Sequence, residues 1–344
     1  MAAHVRKLVC YTDEPGQGGY GHNGSDLLTW HRAFLREFET AMTTVMGKPM
    51  AIPYWDWTDP ESLKTVFAED FMGPEGDPDQ NDHVMSGPFR HGKWRLNVKG
   101  FESTNPGRFD YLVRAIGSIE GMALPVGEEV QQALARPQYD AAPWGVTADN
   151  DVSFRSFVDG MLNASGLACD GGAVTMVGTT ATLLHGTVHM WVGGTTREGH
   201  PGSLADTLTS PNDPVFWLHH ANTDRIAETW WAANRYEYLP RSGGPRGNNL
   251  NDRLWPYTST SGDVVARPPS SAMPMTCWST STRARRSFRR RTGSSSAAAH
   301  PYMPTNRAFP ADGGIAAALD DASQNKGLES VRRSSLQRQC ARRR

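Results

Sequence analysis

Two adjacent histidines, His219 and His220, close the apolar run Val215-Phe216-Trp217-Leu218 and lead into Ile226-Ala227-Glu228-Thr229-Trp230-Trp231. The stretch before them, Ser210-Pro211-Asn212-Asp213-Pro214, reads as a loop. Its prolines remove backbone donors, and Asn212 and Asp213 offer the side-chain oxygens that start helices. Successive residues of a helix point about 100° apart. One of the two imidazoles can therefore face a given interior point, and the other needs a different role.

The pattern recurs elsewhere in the chain. Leu27, Leu28, Trp30, His31, Phe34, Leu35, Phe38 and Met42 fall at helical spacing and put His31 on the apolar side. Taken alone, His31 reads equally as a core histidine satisfied by one hydrogen bond. Thr182 to Trp191 is a second apolar helical segment, with His185 and His189 at i and i+4 on one face, a spacing that can hold one metal ion. His22 lies in the Gly-rich loop before the first strong helix, and His4 lies further upstream on a short helical segment. Two sets of three result: His4, His22 and His31, and His185, His189 and His220. The four cysteines are scattered and form no CxxC pair, so neither a disulfide framework nor a thiolate site is indicated. Imidazole suits zinc, copper, iron and nickel. The pair His185-Gly186-Thr187-Val188-His189 lacks the glutamate of the hydrolytic H-E-x-x-H arrangement, which leaves a zinc hydrolase the weaker reading. His83, His91 and His200 sit in polar surroundings and read as surface residues.

Pro49 to Trp57 is an aromatic cluster with one carboxylate, Asp56, expected to accept a Trp or His N–H. Asp59 to Gly107 reads as long loops, while Phe109–Ile119, Val126–Ala135 and Phe154–Leu162 read as short helices. The Gly/Thr-rich stretch Leu167–Thr180 reads as an inserted loop. From residue 279 onwards there are 14 Lys and Arg against 4 Asp and Glu, leaving 21 against 32 in the rest. The expected organisation is one domain over residues 1–258 and a basic tail over 259–344, either disordered or the product of a shifted reading frame. The Ser/Arg run is not read as a nucleic-acid module. With no run of 18 apolar residues and no apolar leader, the expectations are no membrane span and a cytoplasmic location.

In this order the motifs Gly21-His22, Leu28-Thr29-Trp30-His31-Arg32-Ala33-Phe34-Leu35, Pro53-Tyr54-Trp55-Asp56-Trp57, His185-x3-His189-Met190-Trp191-Val192-Gly193-Gly194 and Ser210 to Asp224 resemble the type-3 copper proteins. These are the tyrosinases, catechol oxidases, o-aminophenol oxidases and haemocyanins. The resemblance implies a mainly α fold: a four-helix bundle housing a dinuclear copper site, with long loops and few short strands. It implies two copper ions per chain, one on His22 and His31 with His4 as third ligand, the other on His185, His189 and His220. His219 becomes a neighbour of the ligands, in line with the helical-angle argument. Arg32 and Asp224 become paired supporting charges, Asn212 and Asp213 orient their loop, and Phe216 packs against a ligand ring at the substrate entrance.

The implied activity is oxidation of phenols by O2, with copper delivered in some bacterial relatives by a small accessory protein. In tyrosinases a carboxylate, with an Asn directly after the first ligand of the second copper, holds a water for proton removal from monophenols. Here those positions are Asp159, where a Glu is expected, and Gly186. Both departures favour o-diphenols or o-aminophenols as substrates, giving o-quinones or quinone imines, over monophenol hydroxylation. Two further departures are the absence of a cysteine two residues before His22 and the few residues preceding His4, which suggests a truncated start. A haemocyanin-like O2 carrier and a degenerate, inactive copy are the readings of another class.

Overall fold

A computed structural model of the chain describes residues 21, 22, 24–96, 110–145, 148–159, 184–206 and 209–252, and the backbone of 254–258 and 264–267. His4, its short helix and the Leu167–Thr180 insertion lie outside the described residues.

Helix α1 (Leu27–Met46) carries the first histidine pattern. Leu27 through Leu35 are all buried, so its first half is wrapped on every side and only its second half shows an exposed face. Gly47 at φ 64° ends it in the left-handed conformation that glycine adopts without cost. Helices α2 (Pro60–Val66) and α3 (Gly127–Leu134) are short. Helices α4 (Phe154–Asp159), α5 (Leu184–Gly193) and α6 (Val215–Ala233) complete the frame. The helices α1, α4, α5 and α6 pack in a ring: α1 on α6, α6 on α5, α5 on α4 and α4 on α1. This is the expected mainly helical, four-helix arrangement.

The ring is filled by aromatic side chains. Phe154 lies flat on Trp230 at 4.9 Å, and Tyr139 stacks on Trp231 and Tyr238 at 5.5 and 4.7 Å. Each fully buried aromatic brings on the order of 150–250 Å² out of water, which makes this cluster the main hydrophobic contribution to the frame.

Three local expectations fail. Phe109–Ile119 is not a helix in its described part, residues 110–119. Its backbone is taken up by neighbouring loops on both sides: Leu112 O accepts from Val84, Arg114 N donates to Asp82 O, and Ala115 N donates to Gly193 O. Tertiary hydrogen bonds override the local helical preference here. Within the supposed loops after Asp59, α2 forms because Asp59 accepts the Glu61 N–H and Pro60 takes the first helical position. Among the described residues Asp56 accepts no Trp or His N–H; it accepts the N–H and hydroxyl of Thr58 and an Arg225 N–H.

The strands β1 (Leu254–Thr258) and β2 (Val264–Arg267) pair antiparallel, with an irregularity between Leu254 and Tyr257. Pro256 lies there and has no N–H to give the ladder. The boundary drawn at residue 258 falls inside this hairpin. No described helix is long and apolar enough to cross a membrane.

Candidate metal centre

The helix ring brings six histidines together. Ring centroids lie 4.8 Å apart for His22 and His31, 5.8 Å for His22 and His185, 6.0 Å for His31 and His185, and 4.1 Å for His31 and His220. One ligand atom from each of His185, His189, His219 and His220 falls within 4.8 Å of all the others.

Backbone carbonyls set the ring protons. The Nδ1–H of His31 donates to Leu27 O at 2.9 Å, that of His189 to Leu204 O at 3.0 Å, and that of His185 to Asp159 O at 3.3 Å. A carbonyl can only accept, so in each neutral ring the lone pair is left on Nε2. Burial, reinforced by the neighbouring imidazoles, pushes the pKa of His185, His219 and His220 well below the usual histidine value, and burial lowers His189 to about 4. The rings are therefore neutral near pH 7.

His189 Nε2 lies 3.1 Å from His185 Nε2 and 3.1 Å from His220 Nε2. Between His189 and His185, whose lone pairs both lie on Nε2, that gap is repulsive. A cation among them turns the repulsion into coordination, and an all-imidazole donor set suits a borderline transition metal. The residues present fit a bound metal.

The remaining expected residues surround this centre. His219 stacks on His185 at 5.2 Å and 12°, stands 4.6 Å from the His189 ring, and touches Trp57 at 5.2 Å. Phe216 is fully buried, its ring 4.1 Å from His220 and 5.9 Å from His189. Arg32, one residue past His31, donates Nε–H to Asp224 and reaches Glu228 at 2.9 Å. Asp213 and Asn212 hold the loop before α6: Asp213 accepts the Val215 N–H, while Asn212 donates to Thr209 O and accepts the Trp94 indole N–H. Asp26, at the start of α1, accepts from Gly21 N at 2.8 Å and so closes the His22 loop onto the helix. Gly186 sits on α5 directly after His185, with no side chain to offer.

Asp159 is 3% exposed and lies at the last position of α4. Its Oδ1 is 3.8 Å from His185 Nδ1, and its Oδ2 is 3.4 Å from Arg155 NH1. Sequence reasoning missed three buried charges around the centre. Arg114 makes a two-bond pair with Asp213, both side chains fully buried. Arg155 makes another with Asp140. The i, i+4 spacing of Arg155 and Asp159 on an otherwise apolar segment was the available signal; Asp140 and Arg114 carry no comparable one.

Residues 1–233 match the family model for the common central domain of tyrosinase. A tyrosinase of Streptomyces lincolnensis is 36% identical over 265 residues, covering 76% of this chain and 82% of its own.

The chain belongs to the tyrosinase family.

Grixazone synthase of Streptomyces griseus subsp. griseus is 32% identical over 271 residues, 74% of this chain and 82% of its own. A polyphenol oxidase structure from Thermothelomyces thermophila matches with TM-score 0.50 at 20% identity, over 78% of this chain and 72% of its own, and shows the shared fold. The protein is accordingly a type-3 copper phenol oxidase, an oxidoreductase with two copper ions that acts on O2 and a phenolic substrate. Bound copper supplies the electron transfer between phenol and O2. The protein supplies the neutral imidazoles, their orientation and the apolar surroundings.

Proposed function

We propose that this chain oxidises o-diphenols or o-aminophenols to o-quinones or quinone imines and does not hydroxylate monophenols efficiently. In this reading His22 and His31, with His4, hold one copper, and His185, His189 and His220 hold the other. His219 packs on the ligands without binding metal. Phe216 keeps the His220 ring in its orientation.

The observation that carries the substrate reading is the state of Asp159. A group that takes a proton from a bound phenol must reach it directly or through one water. Asp159 is buried, gripped by Arg155 and turned towards the His185 ring. Gly186 adds no amide that could hold a water beside it. A catechol or o-aminophenol needs less of such help because its two-electron oxidation inserts no oxygen into the ring.

The competing reading is a true tyrosinase, favoured by the 36% identity to proteins of that name. Copper-loaded protein given o-aminophenol, catechol and tyrosine in turn, with O2 uptake recorded, separates the two. Turnover of the first two with negligible turnover of tyrosine is expected. Prompt turnover of tyrosine overturns the proposal. Loading with free copper alone and with an accessory copper-delivery protein added tests whether that partner belongs to the system.

A further inference from the structure

We infer that Arg155 is a positioning residue for His185, acting through Asp159. The inference rests on the reading of His185 as a copper ligand.

The geometry begins at Asp140, which is fully buried. Its two oxygens accept from Ser25 Oγ at 2.6 Å, Ser153 Oγ at 2.7 Å, Arg155 Nε at 3.0 Å and Arg155 NH2 at 2.8 Å. Arg155 NH2 also donates to Gly145 O at 3.1 Å. These bonds fix the plane of the guanidinium. Its remaining nitrogen, NH1, points one turn along α4 to Asp159 Oδ2. The carboxylate is thereby turned so that Oδ1 and the backbone carbonyl of the same residue both face His185 Nδ1, at 3.8 and 3.3 Å.

The fork is what the task requires. Only a planar group with donors on opposite edges can hold Asp140 with one edge and Asp159 with the other. A lysine ammonium reaches one of them. Arg155 thus holds two carboxylates, and that of Asp159 lies on the side of the His185 N–H. A carboxylate there raises the basicity of the opposite nitrogen and fixes the ring, as partners of metal-bound histidines do. Ser25 ties the same cluster to the segment between His22 and His31, so the clamp is anchored on the opposite half-site.

A double-mutant cycle tests this, read as copper content and copper dissociation constants by chelator competition on folded protein, with circular dichroism and thermal unfolding alongside. Arg155→Lys and Asp159→Asn are each expected to weaken one of the two copper equivalents about 10- to 100-fold while sparing the other. The double variant is expected to be no weaker than Asp159→Asn alone, because the lost grip is then the same grip. Independent, multiplying losses, or equal weakening of both equivalents, overturn the inference and leave Arg155 a general stabiliser. If Arg155→Lys fails to fold, Asp140→Asn, which releases the clamp but keeps hydroxyl partners, must reproduce the selective loss with Asp159 present and not with Asn at 159. A His185→Asn control separates the premise: if that variant keeps both equivalents, His185 is no ligand, whatever the cycle shows.

Discussion

The imidazoles of His31 and His220 lie face to face, 4.1 Å between centroids and 6° from parallel. One ring comes from α1 and the other from α6, so the contact joins the two proposed half-sites directly. Replacing His220 by Asn is expected to remove one copper equivalent and loosen the second, with turnover falling to background. Replacing His219 by Asn is expected to leave both coppers in place and to cost about 10- to 100-fold in affinity or activity, the usual effect of a group beside a ligand. Metal analysis after gel filtration reads the outcome, and the opposite pattern would exchange the roles of the two histidines.

Arg114 and Asp213 are buried together, and Arg114 NH1 also donates to the carbonyls of Met72 and Gly73. Arg114→Met removes one charge and strands the other at the start of α6. The expected loss is about 3–5 kcal/mol of stability, the cost of an uncompensated buried charge. Denaturant unfolding of the copper-free protein measures it; a loss under about 1 kcal/mol would show that Asp213 finds another partner or takes up a proton.

Gly186→Asn places an amide beside His185. If the missing amide limits proton removal from monophenols, the ratio of tyrosine to catechol turnover rises by up to roughly 100-fold, the lower end of what a positioned proton acceptor contributes. An unchanged ratio would assign the limit to the burial of Asp159.

Four neutral, buried imidazoles make the copper-free protein sensitive to acid. His189 titrates at about 4 when folded against 6.5 for the ordinary ring, and His185, His219 and His220 are displaced in the same direction. Between those values the unfolded chain binds more protons, so stability is fully present above about pH 6.5 and falls as pH is lowered towards 4. Each such ring contributes a slope approaching roughly 1.4 kcal/mol per pH unit. Thermal melts of metal-free protein across that window provide the check. A flat melting temperature would mean that the rings stay accessible to protons without unfolding.

Much of this was legible in the chain because apolar periodicity and histidine spacing act locally. The pattern from Leu27 to Met42 announced α1, and His185 with His189 announced the histidine-bearing face of α5. The segment after Phe109 misled because its backbone partners, Val84, Asp82 and Gly193, come from distant parts of the chain. Asp140 was invisible for the same reason: its partners Ser25 and Arg155 lie 115 and 15 residues away, and no local pattern encodes such a meeting. Gly194 directly follows α5. Its φ of 64° and a would-be Cβ 1.8 Å from Ala115 O show why no other residue fits there.

Asn248 lies against the opening of α1: its Oδ1 accepts from Asp26 N at 3.4 Å, and a Cβ on Gly24 would sit 2.3 Å from that oxygen. The contact spans 222 residues. In the order of synthesis, the loop that carries His22 is fastened by a side chain added 28 residues after His220, the last of the six clustered histidines. The His22 loop is therefore made first and closed last: its fastening needs the chain beyond α6.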